Sequence, residues 1–367
     1  MQLRLNALPT ALLLAIGLFA AHPASAAKRL VEMGWDEPNP AFMRAHLAQL
    51  EATPFDGCVY HLGGPRGDGQ LGAFSWFSWG TRAFTEKELA AEIADLEATP
   101  FKRFDSNFLR MNVTPGKLDW FDDHAVVLSN LTLAASIARR GGSAGVLLDT
   151  EQYEGRLFSY PDQRDHAKHS YVQYATQARK RGGEVMRALE KGYPGLAVFL
   201  TLGVTQTAIQ TRWEPIALEK GPYGLLAPFV DGMVLAASDS AKVVDGLEAA
   251  YPSRTPAEID QYVAIYDTMV TSFVSDPVRY HRKISRSWGL WLDHDWRNRG
   301  WSDAEPGKNY RTPAALEATV RRALQLADDY VWVYSETPRW WTASGQSSKL
   351  PPAYDQALRN ARKGLAP

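Results

Sequence analysis

Asp149 and Glu151 stand two positions apart at the end of an apolar run, Gly145-Val146-Leu147-Leu148. On a strand, residues two apart point to the same face. If the strand continues through them, both carboxyls face one cleft. Close carboxylates disfavour each other's ionised forms, so one of the pair keeps its proton near neutral pH. A protonated Glu beside an ionised Asp is what a glycosidic oxygen needs for general acid catalysis. The alternative role is structural, as a helix cap or a loop brace. Tyr153, Asn112, Arg110 and His61 are polar residues that could orient Glu151 or bind sugar hydroxyls. Arg110 could equally neutralise buried acids.

The elements that must position these groups are legible as alternation. Short apolar runs cover 30–35, 57–62, 108–113, 144–149, 196–202, 230–237, 289–293 and 330–335. Helical patterns lie between them, notably at 40–52, 86–96, 124–140, 171–191 and 256–273, with a last one at 353–363. Strand-like runs that each lead into a helix predict an α/β fold, a (β/α)8 TIM barrel forming a single domain over 27–367 with long βα loops. An open doubly wound sheet would usually show a Gly-rich turn after its first strand. The first run here ends in Gly34-Trp35-Asp36-Glu37-Pro38 instead.

Barrel enzymes carry their chemistry at the carboxyl ends of the strands. In chain order those ends hold Trp35 and Asp36, then His61, then Arg110 and Asn112, then Asp149, Glu151 and Tyr153. Thr201, Thr205 and Gln206 follow the fifth run, and Ser238 and Asp239 the sixth. The seventh carries Trp291, Asp293, Asp295 and Trp296, and the eighth Glu336, Arg339, Trp340 and Trp341. Eight of the 12 tryptophans fall in loops after strands: Trp35, Trp76, Trp79, Trp120, Trp296, Trp301, Trp340 and Trp341. Indole faces stack on the C–H faces of sugar rings, so an aromatic rim over a carboxylate floor suits a glycan. Packing across a barrel mouth is the other use for such residues.

The segment Gly145-Val146-Leu147-Leu148-Asp149-Thr150-Glu151-Gln152-Tyr153 resembles the fourth strand of TIM-barrel glycoside hydrolases. Its D-x-E ending is similar to that of chitinase-like glycosidases, in which the Glu is the acid and the Asp supports it. Ala144, Leu147 and Leu148 occupy the region of that family's earlier aspartates, so the likeness does not extend to its substrate-assisted hydrolysis of N-acetyl sugars. In another group of barrel glycosidases the second carboxylate lies on strand seven, where this chain has Asp293. The resemblance therefore implies Glu151 as general acid/base with Asp293 or Asp149 as partner, and Asp295, Glu336 and Asp36 as alternatives. A non-catalytic glycan-binding barrel, a lyase or a transglycosylase would use the same features.

Several chemistries are excluded or disfavoured. Lys+Arg number 40 against 41 Asp+Glu, so no basic field exists to hold nucleic acid. Cys58 is the single cysteine, which rules out an internal disulfide or a cysteine-held iron–sulfur cluster. Its apolar setting predicts a buried structural thiol. The 8 histidines are scattered and no H-x-H follows the first run, so neither a metal nor any other cofactor is expected. Gly141-Gly142-Ser143-Ala144-Gly145 matches G-x-S-x-G but precedes a strand, the wrong order for a nucleophile elbow. Arg4, the apolar run 8–21 and Ala24-Ser25-Ala26 predict a signal peptide over 1–26. The expectation is a secreted or periplasmic monomer with a carbohydrate substrate and no stable membrane insertion after cleavage.

Overall fold

The computed structural model describes residues 28–66, 72–113 and 117–365; the expected signal peptide lies outside them. The sheet has nine strands: β1 (Arg29–Gly34), β2 (Gly57–Tyr60), β3 (Phe108–Asn112), β4 (Gly145–Asp149), β5 (Ala197–Leu200), β6 (Lys242–Asp245), β7 (Ile284–Arg286), β8 (Gly289–Trp291) and β9 (Tyr330–Ser335). Every pairing is parallel, in the order β7-β6-β5-β4-β3-β2-β1-β9-β8. The two ends of that order are consecutive in the chain. Only Ser287 and Trp288 separate β7 from β8. Ser287 N donates to Asp245 O on β6 (3.2 Å), and Trp288 O accepts from Trp332 N on β9 (3.2 Å). One bent stave thus joins both edges, and the ring closes as a (β/α)8 TIM barrel.

Alternation sorts the side chains. Val31, Met33, Val59, Phe108, Leu147, Phe199, Val244 and Trp332 form a small cluster inside the ring. Phe108 meets Phe199 edge-on at 5.3 Å, and Phe199 meets Trp332 at 6.2 Å. Trp332 Nε1 also donates to Gly246 O (2.7 Å), which satisfies the one polar atom of this plug. Their outward neighbours, among them Leu30, Cys58, Leu109, Leu148 and Leu200, join the larger layer between sheet and helices. Full burial of each such large side chain contributes about 1.5–3 kcal/mol. The barrel is filled below its carboxyl end, so a ligand can enter only from above. Ser143 is buried at the opposite end, hydrogen-bonded to Tyr60 OH (2.9 Å), away from that opening.

One predicted strand is a helix. The apolar run over 230–237 predicts the sixth strand, but Leu226–Ala236 is helical, and Leu226 through Val234 are all buried. A uniformly apolar run cannot be told from a buried helix by periodicity. This helix packs on Tyr171–Gly192 through glycines. A Cβ on Gly182 would lie 1.9 Å from Phe229 O, and one on Gly232 would lie 1.9 Å from Arg179 O. The true sixth strand, Lys-Val-Val-Asp, is too short and too polar to announce itself. The correction moves the sixth strand end from Ser238 and Asp239 to Gly246, Leu247 and Glu248. Among the described residues, no helix is long and apolar enough to cross a membrane.

Candidate active site

At the end of β4, Asp149 points inward and is fully buried. Its Oδ2 accepts from Asn112 Nδ2 (3.0 Å) and Tyr153 OH (3.0 Å). Its Oδ1 accepts from Glu151 N (3.1 Å) and Thr201 Oγ1 (3.2 Å). Burial raises its pKa, while the Arg110 charge and the donors hold it down. Thr150 braces the turn beyond: its N–H donates to Thr201 Oγ1 (3.0 Å), and its hydroxyl donates to Leu202 O (2.7 Å). With Thr150 locked to β5, the chain delivers Glu151 to the cavity above the plug.

Glu151 meets a residue that sequence reasoning missed. Its carboxyl shares a hydrogen bond with that of Glu248, just beyond β6. Two carboxyls can do this only if one keeps its proton. Burial, then the charge of Asp149, raises the Glu151 pKa to about 7. Burial, then the charges of Glu151 and Asp149, holds Glu248 well above the usual carboxylate range. Oε2 of Glu248 is buried and accepts from no N–H or hydroxyl among the described residues. Leu247 makes the placement possible by adopting φ 47°. That left-handed geometry costs a branched residue about 1–3 kcal/mol and is retained mostly where function demands it. No motif marks Glu248. A correct sixth strand was the only signal that could have found it.

The cavity has a volume of about 780 Å³ and unlike walls. Over β1 to β3 stand Glu37, His61, Arg66, Trp76 and Arg110. Arg110 Nε lies 3.2 Å from Glu37 Oε1, and the Arg66 guanidinium lies over Trp76 at 4.3 Å. His61 Nδ1 lies 3.8 Å from the same Glu37 oxygen. Burial, with Arg110 and Arg66 nearby, lowers the His61 pKa to about 4, so its imidazole is neutral at pH 7. Over β6, β8, β9 and the β1 rim stand Glu248, Tyr251, Trp291, Tyr334, Glu336 and Trp35. Tyr251 stacks on Tyr334 (5.5 Å, 13°), and Trp291 is edge-on to both. Trp35 Nε1 donates to Tyr334 OH (2.9 Å), which donates to Glu336 Oε1 (3.1 Å).

Of the residues expected here, Glu151, Trp35, His61, Arg110, Tyr153, Trp291 and Glu336 line the cavity. Asp149 and Asn112 lie directly beneath it as a hydrogen-bonded pair. Asp293 does not line it. Its oxygens accept from Trp291 Nε1 (2.9 Å), Glu336 N (3.0 Å) and Thr337 N (2.8 Å), so it pins the loop that carries Glu336. Asp295 is tied to Arg297 (2.8 Å) and Asp36 to Trp340 N (2.8 Å). Trp340 packs edge-on against Phe55 at 4.8 Å, and Trp296 is exposed beside Tyr310. Of the eight tryptophans expected after strands, only Trp35 and Trp76 reach the cavity; Trp79, Trp120 and Trp341 are buried as packing.

No family model matches the chain, and no curated protein matches it either. Solved structures with a similar chain path do exist. CpGH84B has 10% identity and a TM-score of 0.44, over 93% of this chain and 48% of its own. PbGH5A, a glycoside hydrolase family 5 enzyme from Prevotella bryantii, has 11% identity and a TM-score of 0.42, over 86% of this chain and 98% of its own. A sugar phosphate isomerase/epimerase from Parabacteroides distasonis has 10% identity and a TM-score of 0.37, over 92% of this chain and 94% of its own. The chain thus spans about half the length of CpGH84B. A fold does not fix a reaction, so the chemistry must be sought in the cavity itself.

Proposed function

We propose that this chain is an exported glycoside hydrolase, a single barrel domain working as a monomer on an oligo- or polysaccharide, with Glu151 as general acid/base and Glu248 as its partner. The observation that carries the reading is the Glu151–Glu248 hydrogen bond inside an aromatic-walled cavity at the strands' carboxyl ends. A glycosidic oxygen leaves only if it is protonated as its bond to the anomeric carbon breaks. Glu151, with a pKa raised to about 7, holds a proton for that purpose near neutral pH.

The hydrogen-bonded pair lies nearer to the separation of retaining enzymes, about 5–5.5 Å, than to the about 6.5–9.5 Å at which inversion seats a water molecule. Retention suits this pair better. The pair shares one proton, which its hydrogen bond passes between the two carboxyls. With the proton on Glu151, Glu151 gives it to the departing oxygen while the Glu248 carboxylate forms a bond to the anomeric carbon. Water then attacks that carbon, Glu151 takes the proton back, and Glu248 leaves. Asp149 supports both steps by accepting from Glu151 N and Tyr153 OH and by keeping Glu151 protonated. Export rests on the amino-terminal sequence pattern alone.

The test is release of reducing ends from a broad panel of oligosaccharides. Wild-type protein should cleave at least one, and Glu151→Gln should lose about 10²–10⁴-fold in kcat with an unchanged circular dichroism spectrum. Equal turnover in that variant would remove Glu151 from the chemistry. Binding to glycans without cleavage would leave a lectin-like barrel.

A further inference from the structure

The cavity's two walls differ in charge as well as in shape. On the β1–β3 wall, Arg66 and Arg110 are set around Glu37. On the opposite wall Glu336 is the charged group at the rim, framed by the rings of Trp35, Tyr251, Trp291 and Tyr334. Tyr334 OH orients one Glu336 oxygen (3.1 Å), and Trp35 Nε1 orients Tyr334 in turn (2.9 Å). Asp293 adds a second negative charge behind Glu336. Arg339 is the cation that acts on Glu336, but it does not line the cavity, and Asp36 and Glu32 share its charge.

A carboxylate among aromatic faces is a site for a cation. The electron-rich ring faces attract it, and the carboxylate accepts its hydrogen bonds. Glu336 is partly buried and Trp35 exposed, so water screens both effects in part and leaves a modest preference. A neutral sugar would use the rings and donate hydroxyl hydrogen bonds to Glu336, but would lack the charge attraction that an ammonium adds. An anionic substituent placed there would be repelled by Glu336.

We infer that the substrate carries a free amine, as a de-N-acetylated amino sugar, whose ammonium group docks against Glu336 beside the hydrogen-bonded Trp35 and Tyr334. The inference rests on the glycoside hydrolase reading for its sugar scaffold. It adds the substituent that the site selects. Acetylation removes the positive charge and adds bulk, so an N-acetylated sugar should lose the preference altogether.

Binding should be measured by calorimetry on the full-length Glu151→Gln variant, which holds ligand without consuming it. The probes are length-matched oligomers of glucosamine, N-acetylglucosamine, glucose and galacturonate. The glucosamine oligomer should bind about tenfold tighter than the acetylated one, a gap of about 1.4 kcal/mol. Added salt should narrow that gap, and so should Glu336→Gln. Trp35 is 71% exposed, so Trp35→Ala cannot disturb the core and should narrow it too. Equal or tighter binding of the acetylated, neutral or uronate oligomers would overturn the inference. Cleavage by wild-type protein without amine preference would remove this inference and leave the hydrolase reading. Amine-selective binding with no cleavage of any oligomer would do the reverse, and no binding of any probe would remove both.

Discussion

Glu151 and Glu248 share a hydrogen bond, and so do Glu32 and Asp36. In both pairs burial is the first cause of a raised pKa, and a neighbouring acid raises it further in Glu151, Glu248 and Glu32. Their surroundings separate them. Glu151 and Glu248 open onto a cavity of about 780 Å³. Glu32 points the other way from β1, toward the helical layer, and none of its surface is exposed. Its pair is closed over by Trp340 N, which donates to Asp36 Oδ2 (2.8 Å), and by the Trp341 indole, which donates to Asp36 O (2.7 Å). A perturbed acid pair is therefore not a site in itself. A site also needs room for a substrate.

The comparison breaks most readily at Glu248. Replacing it with Gln keeps the size and a hydrogen bond to Glu151 but removes the nucleophile. The kcat should fall about 10²–10⁴-fold on any substrate the wild type cleaves, with no loss of stability. Activity within a few-fold of wild type would make the cavity pair as silent as the buried one.

The acid's proton gives the next largest effect. Glu151 must be protonated to act, and its pKa is raised to about 7. Activity should fall about tenfold per pH unit well above that value, and fall again in acid, where Glu248 takes up a proton of its own and is lost as nucleophile. The charge of Asp149 is the second cause of the rise. In Asp149→Asn the alkaline limb of the pH–rate profile should therefore move to lower pH. A limb that stays in place would mean that another group sets it.

A third test concerns Asp293, whose carboxylate accepts three N–H donors and does not line the cavity. Asp293→Ala should cost about 1 kcal/mol of stability by chemical denaturation, because two partly buried donors lose their acceptor. Its effect on kcat should be smaller than that of Glu248→Gln. A larger one would return the second catalytic role to the β8 end.

These contrasts show what sequence could carry. Closure of the barrel was legible because β1 to β5 and β9 are short apolar runs flanked by clear helical patterns. Glu151 and Asp149 were legible because they end such a run in a recognisable pair. Glu248 was not, because the more apolar segment 226–236 imitates a strand while Lys242–Asp245 does not. Asp293 and Asp295 attracted notice as acids at a strand end. Which acids have spent their oxygens on nearby N–H groups is a matter of loop geometry, and a linear pattern does not encode it. The tryptophans divide for the same reason: Trp76 and Trp79 lie three positions apart, yet Trp76 lines the cavity and Trp79 is 1% exposed in the core.

The smallest effect belongs to the silent pair, and it is an effect on stability. Glu32 ionises near its ordinary value of 4.5 in the unfolded chain but keeps its proton well above that in the folded one. Below about pH 4 both states are protonated and the difference vanishes. As pH rises, the unfolded chain sheds the proton and is favoured, so wild-type stability declines until the folded carboxyl also ionises. In Glu32→Gln the replacement amide has no proton to lose and can still donate to Asp36. That variant should therefore match wild type in acid and overtake it progressively in urea melts as pH rises above the unfolded value of 4.5, with kcat within about threefold. A variant that matches wild type in acid and falls progressively behind it as pH rises would mean that Glu32 is ionised and held by Arg339. The two acid pairs would then differ in charge state as well as in access, and access alone would no longer explain why one is a site.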